Sequence, residues 1–486
     1  MKRLYISIFV LSGLFFSGCS DDFLNVNPTE SIPADPELVN SDEGAKSFVT
    51  AIYNQFLGWE MSSFGWNAVS SIISDDADKG SDPGDAGGDK DIVDALTYNA
   101  STPSFESTWN ANYAGINRCN QALAIFPKLD KVTPTLKVRL EGEAKFMRAF
   151  MYFTLVKGYG GVPIVDHLPL PVSEQDRLMQ LTRKSPAEVY AFIEKDLTDA
   201  IANLPEKSAY SYADRTRVSR GSAYALLAKV NLYQKNWQKV IDNCDKVTGY
   251  SLVADYSSQY KKDGEFGPES IFEIDGIGGT ATPGFGIGNY TVSQAPRGAG
   301  GWGWGFNTPT EGLANAYEAG DVRRAATIIF RGSVLYDGKP VPSTVANPRY
   351  NYKAYSSEFY NQEFTDTNLR YLRYAEVILM KAEALNELGN TPGAIPLVNQ
   401  IRHRAGLGDT PFTSQSDIRK AIWKERRLEF AFEHDRWFDL VRTGQAETAM
   451  AADGKTFVVG KHELWPIPTT FIREAEGLSQ QNPGGY

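Results

Sequence analysis

SRGSAYALLAKVNLYQ, residues 219–234, sets Ala223, Leu226, Leu227, Val230 and Tyr233 at helical spacing, which gives an amphipathic helix. After a break at Lys235-Asn236, the residues Trp237, Val240, Ile241, Cys244 and Val247 repeat the stripe, so a second helix must pack back on the first. The design recurs at 369–404. There Tyr374, Val377, Ile378, Ala382 and Leu385 form one stripe, Gly389-Asn390-Thr391-Pro392 the turn, and Ala394, Ile395, Leu397, Val398 and Ile401 the other. Superimposing the two turns pairs Ala228 with Ala382, Val240 with Ala394 and Ile241 with Ile395. Small residues at the crossing are what tetratricopeptide-like pairs need. The pattern predicts four pairs: 44–57 with 110–126, 136–159 with 185–204, 219–234 with 237–248, and 369–388 with 392–404. Pro186 directly after Ser185 reads as a helix start.

Long insertions interrupt these pairs, so the body at 41–486 is one mostly α unit and no simple solenoid. Its 486 residues are 42% hydrophobic and 12% aromatic, enough for a substantial core, which excludes intrinsic disorder. The formal charge is −10 with no basic block, which argues against nucleic acid. A mean hydropathy of −0.33, with no long apolar run after the first 20 residues, excludes a polytopic membrane protein. His167, His403, His434 and His462, with Cys19, Cys119 and Cys244, show no metal-ligand spacing.

The N-terminus carries an address. Met1-Lys2-Arg3 is basic, residues 4–16 are apolar, and Ser17-Gly18-Cys19 closes the run with small residues, which reads as a signal peptide over 1–18. Leu14-Phe15-Phe16-Ser17-Gly18-Cys19 resembles a bacterial lipobox, which implies lipidation of Cys19; an ordinary secreted protein with an incidental Cys19 is the alternative. Residues 19–40, rich in Pro, Asn, Asp and Ser, suit a tether. Cys119 and Cys244 sit in apolar helical patterns and read as buried thiols.

The insertions at 60–109 and 255–365 differ in composition. The first holds Phe64, Trp66 and the run Asp75-Asp76-Ala77-Asp78-Lys79-Gly80-Ser81-Asp82-Pro83-Gly84-Asp85; the second is Gly- and Pro-rich and carries Phe285, Tyr290, Trp302, Trp304 and Phe306. Long loops on a helical body are usually functional. Rings on Gly-rich loops suit carbohydrate, since the C–H face of a sugar packs on a ring while flanking polar groups bond the hydroxyls. On this ground Trp302 and Trp304 are candidate ligand rings, with Trp66 added by its loop context and Asp78, Lys79 and Asp82 as candidate polar partners. In Gly301-Trp302-Gly303-Trp304-Gly305-Phe306, extended backbone would send the three rings to one face. The alternative for each ring is that it plugs the core.

The acidic run lacks the full EF-hand pattern, so a solvated loop is expected, with calcium at 75–85 as the alternative and no other cofactor. The strings Gly276-Ile277-Gly278-Gly279 and Gly284-Phe285-Gly286-Ile287-Gly288 match neither a Rossmann fingerprint nor a P-loop. No G-x-S-x-G or H-E-x-x-H is present. A secreted glycosidase, which needs only two carboxylates, stays open.

At 416–486 the stretch ERRLEFAFEHDRWFDLVRTG places Glu425, Glu429 and Glu433 at i+4 spacing beside Arg426, Arg436 and Arg442, as an ion-pair ladder on a helix that starts at Ser416-Asp417. That stretch is similar to the signature of the SusD/RagB family of outer-membrane glycan-binding lipoproteins. Trp465-Pro466-Ile467-Pro468 and Gln481-Asn482-Pro483-Gly484 resemble the family's terminus, and RYAEVILMKAEALNELG (373–389), EAKFMRAFMYFTLVKGYGGVP (143–163) and the lipobox also match. The resemblance implies a tetratricopeptide-like scaffold with an irregular, loop-rich ligand subdomain. It also implies an extracellular lid, anchored by lipid in the outer membrane, on a SusC-like TonB-dependent transporter. Such a lid captures oligosaccharides without cleaving them; a peptide-binding lid is the alternative within the family. In starch-binding members part of the aromatic arc follows the stretch that here is Ser74-Asp75-Asp76-Ala77. This chain has Asp78-Lys79-Gly80-Ser81 there, which puts starch in doubt. Trp302 and Trp304 fall about where another ring of that arc would lie and Tyr290 sits in the preceding loop, so the resemblance implies these as ligand rings.

Overall fold

The computed structural model describes residues 39–276, 287–357, 364–365 and 367–486. The expected signal peptide at 1–18, Cys19, nearly all of the expected tether at 19–40, Phe285 and most of both glycine strings lie outside the described residues.

The fold is mostly helical. Four pairs make the scaffold: Asp42–Tyr53 with Pro103–Ile125, Pro134–Tyr159 with Pro186–Asn203, Arg220–Tyr233 with Trp237–Cys244, and Tyr374–Glu387 with Thr391–Arg404. Local chemistry sets their starts. Ser185 and Glu188 form a capping box around Pro186, Ser219 and Ser222 form another, and Asn390 accepts from the Gly393 amide. Ala382 and Ala394 are fully buried and join Val398, Ile418 and Ile422 in one cluster, so methyl groups set how closely the helices approach. Cys119 and Cys244 are buried free thiols, and burial pushes the Cys119 thiol up to about 12.

Two sequence expectations are corrected. Residues 369–373 are strand, not helix: Leu369–Arg373 pairs antiparallel with Ser270–Ile274. The cross-strand rings of Phe272 and Tyr371 stack at 5.5 Å and add a side-chain contact to the ladder. At the C-terminal segment the cap is Ser414, which accepts from the Asp417 amide, and the helix Gln415–Phe430 ends before the expected ladder does. Phe432 and His434 take left-handed backbone, with φ of 64° and 70°, and a new helix runs Arg436–Thr443.

That break turns the ladder into a buried network. Glu425 pairs with Arg402 and Arg323, Glu429 with Arg373 and Arg404, and Glu433 with Arg373 and Lys353, all partners from other elements. Burial alone would raise the Glu429 carboxyl, but Arg404, Arg373 and Arg323 outweigh it and hold the group at about 2.

His434 gives a pH prediction. Its buried ring meets Ser70 Oγ at 2.9 Å through Nδ1, and burial pushes its pKa down to about 4. An unfolded histidine titrates near about 6.5. The unfolded chain therefore binds more protons between these values, and stability is lost as pH falls from about 6.5 toward 4. His434→Asn, which tolerates the left-handed backbone, should show a shallower fall of denaturation midpoint between pH 7 and 5 than the parent. Parallel pH profiles would contradict this assignment.

The two insertions are stitched together where Ala77–Asp78 pairs antiparallel with Thr308–Pro309. A hairpin of Ile328–Phe330 with Arg349–Asn351 carries its own small core, built on Ile329, Leu335, Val345 and Tyr350.

Candidate functional site

The Gly-rich bend is shaped by the helix before it. Tyr290–Gln294 is a short buried helix whose end leaves carbonyls to satisfy. The amides of Trp302 and Gly303 both donate to Pro296 O (2.8 and 2.9 Å), Trp304 to Val292 O (2.8 Å), Gly305 to Ala295 O (3.0 Å) and Phe306 to Ser293 O (2.8 Å). At Gly303 a Cβ would lie 2.4 Å from the Ala295 Cβ and 2.5 Å from Val292 O, so only glycine permits this wrap. The segment is thus a cap rather than an extended strand, and the expected single face of three rings does not form.

Trp302 turns to the hairpin core, 6.2 Å from Tyr355, with Lys339 Nζ 3.8 Å from its ring centroid. Trp304 turns the other way, edge-on to Trp59 at 6.4 Å and to Phe64 at 6.0 Å. Phe306 is buried beneath Phe64 at 4.7 Å. Trp59 is 43% exposed and Trp304 half-buried, so together they offer ring surface to solvent above Phe64. Lys90 Nζ lies 4.6 Å from the Phe64 ring. Trp59 escaped the sequence reading because it falls between the helix expected at 44–57 and the insertion expected at 60–109. Gly58 before it marks the end of that helix, but no local signal places the ring beside Trp304.

Beside these rings, Arg297 holds the acidic loop in place. Its Nη2 meets Asp82 at 2.5 Å, its Nη1 pairs with Asp85, and the same Nη1 lies 3.4 Å from Trp304 O. Asp82 keeps an exposed carboxylate at this edge. Asp78 is half-exposed at the margin of the Lys455 cluster, where partial burial pushes its carboxyl up to about 6.

Three candidate residues are corrected to structural roles. Trp66 is 6% exposed, turned inward by the short helix Phe64–Asn67 to stack on Phe438 at 6.3 Å. Tyr290 is 3% exposed and packs with Ile287, Ala354 and Leu369. Lys79 is also 3% exposed, and its Nζ is consumed by both Asp91 carboxylate oxygens at 2.8 Å and by Asp82 O at 2.6 Å. Trp302, Trp304, Asp82 and Asp78 remain on accessible surface, but Trp302 and Trp304 serve different clusters.

The acidic run is neutralised largely by arginine. Asp75 pairs with Arg436 and Arg427, Asp76 with Arg427, and Asp82 and Asp85 with Arg297. Among the described residues no group of three or more His, Cys, Asp or Glu side chains is placed to hold a metal ion. What the site offers chemically is apolar ring faces beside fixed carboxylate and guanidinium groups, an arrangement suited to holding a polyol.

Comparison with known proteins agrees with this architecture. A family model described as "SusD family" matches residues 268–486, and one described as "Starch-binding associating with outer membrane" matches 22–232. SusD-like protein P2 of Formosa agariphila is 27% identical over 524 residues, covering 100% of both chains. Among solved structures, a laminarin-binding SusD-like protein superposes with a TM-score of 0.75 at 29% identity, over 91% of this chain and 99% of the other. A SusD-like protein from Bacteroides fragilis gives 0.80 at 26% identity, over 93% and 98%.

Proposed function

The chain belongs to the SusD family, and from that premise we propose that it is a surface glycan-binding lipoprotein which captures oligosaccharides and passes them to a TonB-dependent outer-membrane transporter. The observation that carries the reading is the exposed Trp59–Trp304 ring surface beside Arg297 and Asp82. The similarity to a laminarin-binding protein supports a β-glucan as the first ligand to test. Binding here is non-catalytic: the rings hold the sugar and the ion pairs fix the loops around it. Anchoring falls to lipid on Cys19, with the body outside the outer membrane. Among the described residues no helix is long and apolar enough to cross a membrane.

Calorimetric titration of the protein with laminarin, maltohexaose and a peptide panel tests the reading. Laminarin binding is expected, and Trp304→Ala should weaken it by about 5- to 30-fold, the equivalent of about 1–2 kcal/mol for one stacked ring. The melting temperature should stay nearly constant, since the ring is half-solvated. Tight peptide binding with no response to any glycan would replace this reading with a peptide-binding lid, and release of reducing ends would replace it with a glycosidase.

A further inference from the structure

On the Trp302 side of the bend lies a cavity of about 400 Å3, between the segment 255–261, the short helix Arg323–Thr327 and the hairpin. Its lining is apolar at Ala326, Ile328 and Leu335 and aromatic at Tyr336 and Tyr352. Asp255, Ser257 and Lys261 stand on the polar side of the lining. The volume sits near the lower end of the range of about 300–1,000 Å3 for small-ligand pockets, so it suits one or two sugar units rather than a long chain.

The cavity connects to the candidate site through rings. Tyr336, 41% exposed, is edge-on to Tyr352 at 6.1 Å and to Tyr355 at 5.8 Å, and Tyr355 is 6.2 Å from Trp302. An aromatic row thus runs from the cavity to the bend, whose other tryptophan belongs to the Trp59 surface two residues away. The polar lining carries one cation, Lys261, and one carboxylate, Asp255, so it favours neither an anion nor a cation. Lys261 Nζ lies 5.1 Å from the Tyr336 centroid, which places a donor beside an accessible ring. A neutral polyol with an apolar C–H face matches this combination of apolar, aromatic and polar lining.

We infer that the Tyr336–Tyr352 cavity is a second sugar subsite, which takes one or two glycosyl units of a glycan whose main contact is at Trp59 and Trp304. It rests on the glycan-binding reading and extends it to a second contact, so that long or branched chains are held at two points. Two contacts on one chain raise apparent affinity through effective concentration.

The full-length lipoprotein in a non-glycosidic detergent is examined with laminaribiose by saturation-transfer NMR and with laminarin by calorimetry. In Trp59→Ala/Trp304→Ala protein, laminaribiose should still receive saturation transfer, and adding Tyr336→Ala should abolish it. Tyr336→Ala alone should weaken laminarin by about 3- to 10-fold, and Lys261→Met should act in the same direction. Tyr336 is exposed and Lys261 half-buried, and an unchanged melting temperature checks that the fold survives. If Tyr336→Ala changes neither signal while the tryptophan pair abolishes both, the second subsite is wrong and the Trp59–Trp304 reading stands. If the tryptophan pair changes nothing and Tyr336→Ala abolishes both, the cavity is a sugar site and the main contact has been misplaced. Absence of transfer to laminaribiose in the tryptophan variant also overturns the inference.

Discussion

Arg373→Ala is expected to lower stability by roughly 3–5 kcal/mol, the usual cost of removing one partner from a buried charge network. The guanidinium is almost fully buried and meets Glu269 at 2.5 Å, Glu429 at 3.0 Å and Glu433 at 2.7 Å. Without it three buried carboxylates face one another, and Arg404, Arg323 and Lys353 compensate only in part. Arg373→Lys should fall between the two, because it restores charge but reaches fewer carboxylates at once. The exposed pair Lys46–Glu43 is the control, since surface pairs contribute only about 0–1 kcal/mol. Urea midpoints of the three variants decide the matter. A shift for Arg373→Ala no larger than that for Lys46→Ala would mean that the network does not hold the loops to the scaffold.

Trp465→Ala should cost a similar amount, about 3–5 kcal/mol, as large-to-small changes of buried aromatics do. The indole is fully buried against Tyr159, Phe105 and Phe438, with centroids at 5.2, 5.7 and 5.4 Å. It lies flat over Gly158, where a Cβ would come 2.1 Å from Cε3. Gly158→Ala should therefore destabilise too, by about 1–3 kcal/mol from overpacking. The backbone is pinned beside the ring: the Trp465 amide donates to Gly158 O at 2.7 Å, and Asn482 Nδ2 donates to Trp465 O and Tyr159 O. Gln481 in turn bonds both the amide and the carbonyl of Ile467. The family-like terminus thus locks the chain end onto the second helical pair. If thermal melts of Trp465→Ala matched the parent, this locking role would be refuted.

The helical pairs were legible in the sequence because their signal is local: the stripe at Ala223, Leu226 and Val230 depends only on helical period. The residues at 369–373 misled because they run without a turn signal into the helical stripe that begins at Tyr374. Their strand state is decided by Phe272, about 100 residues away in the chain. The same distance problem governs the rings. Nothing near Trp66 announces that Phe438 will cover it, and nothing near Trp59 announces that Trp304 will approach and leave it open. Lys79 was read as a ligand contact from its polar neighbours, but Asp91, twelve residues on, takes its ammonium group. Spacing and composition marked the loops that carry Trp304 and Asp82, while long-range packing chose which side chains in them face solvent.

A crystal structure of the protein grown with a laminarin oligosaccharide reads the position of the glycan outright. Density for a sugar ring lying against Trp304 or Trp59, with hydroxyls toward Asp82 or Arg297, is the predicted result. Density bound elsewhere on the molecule, with Trp59 and Trp304 still open to solvent, would contradict it.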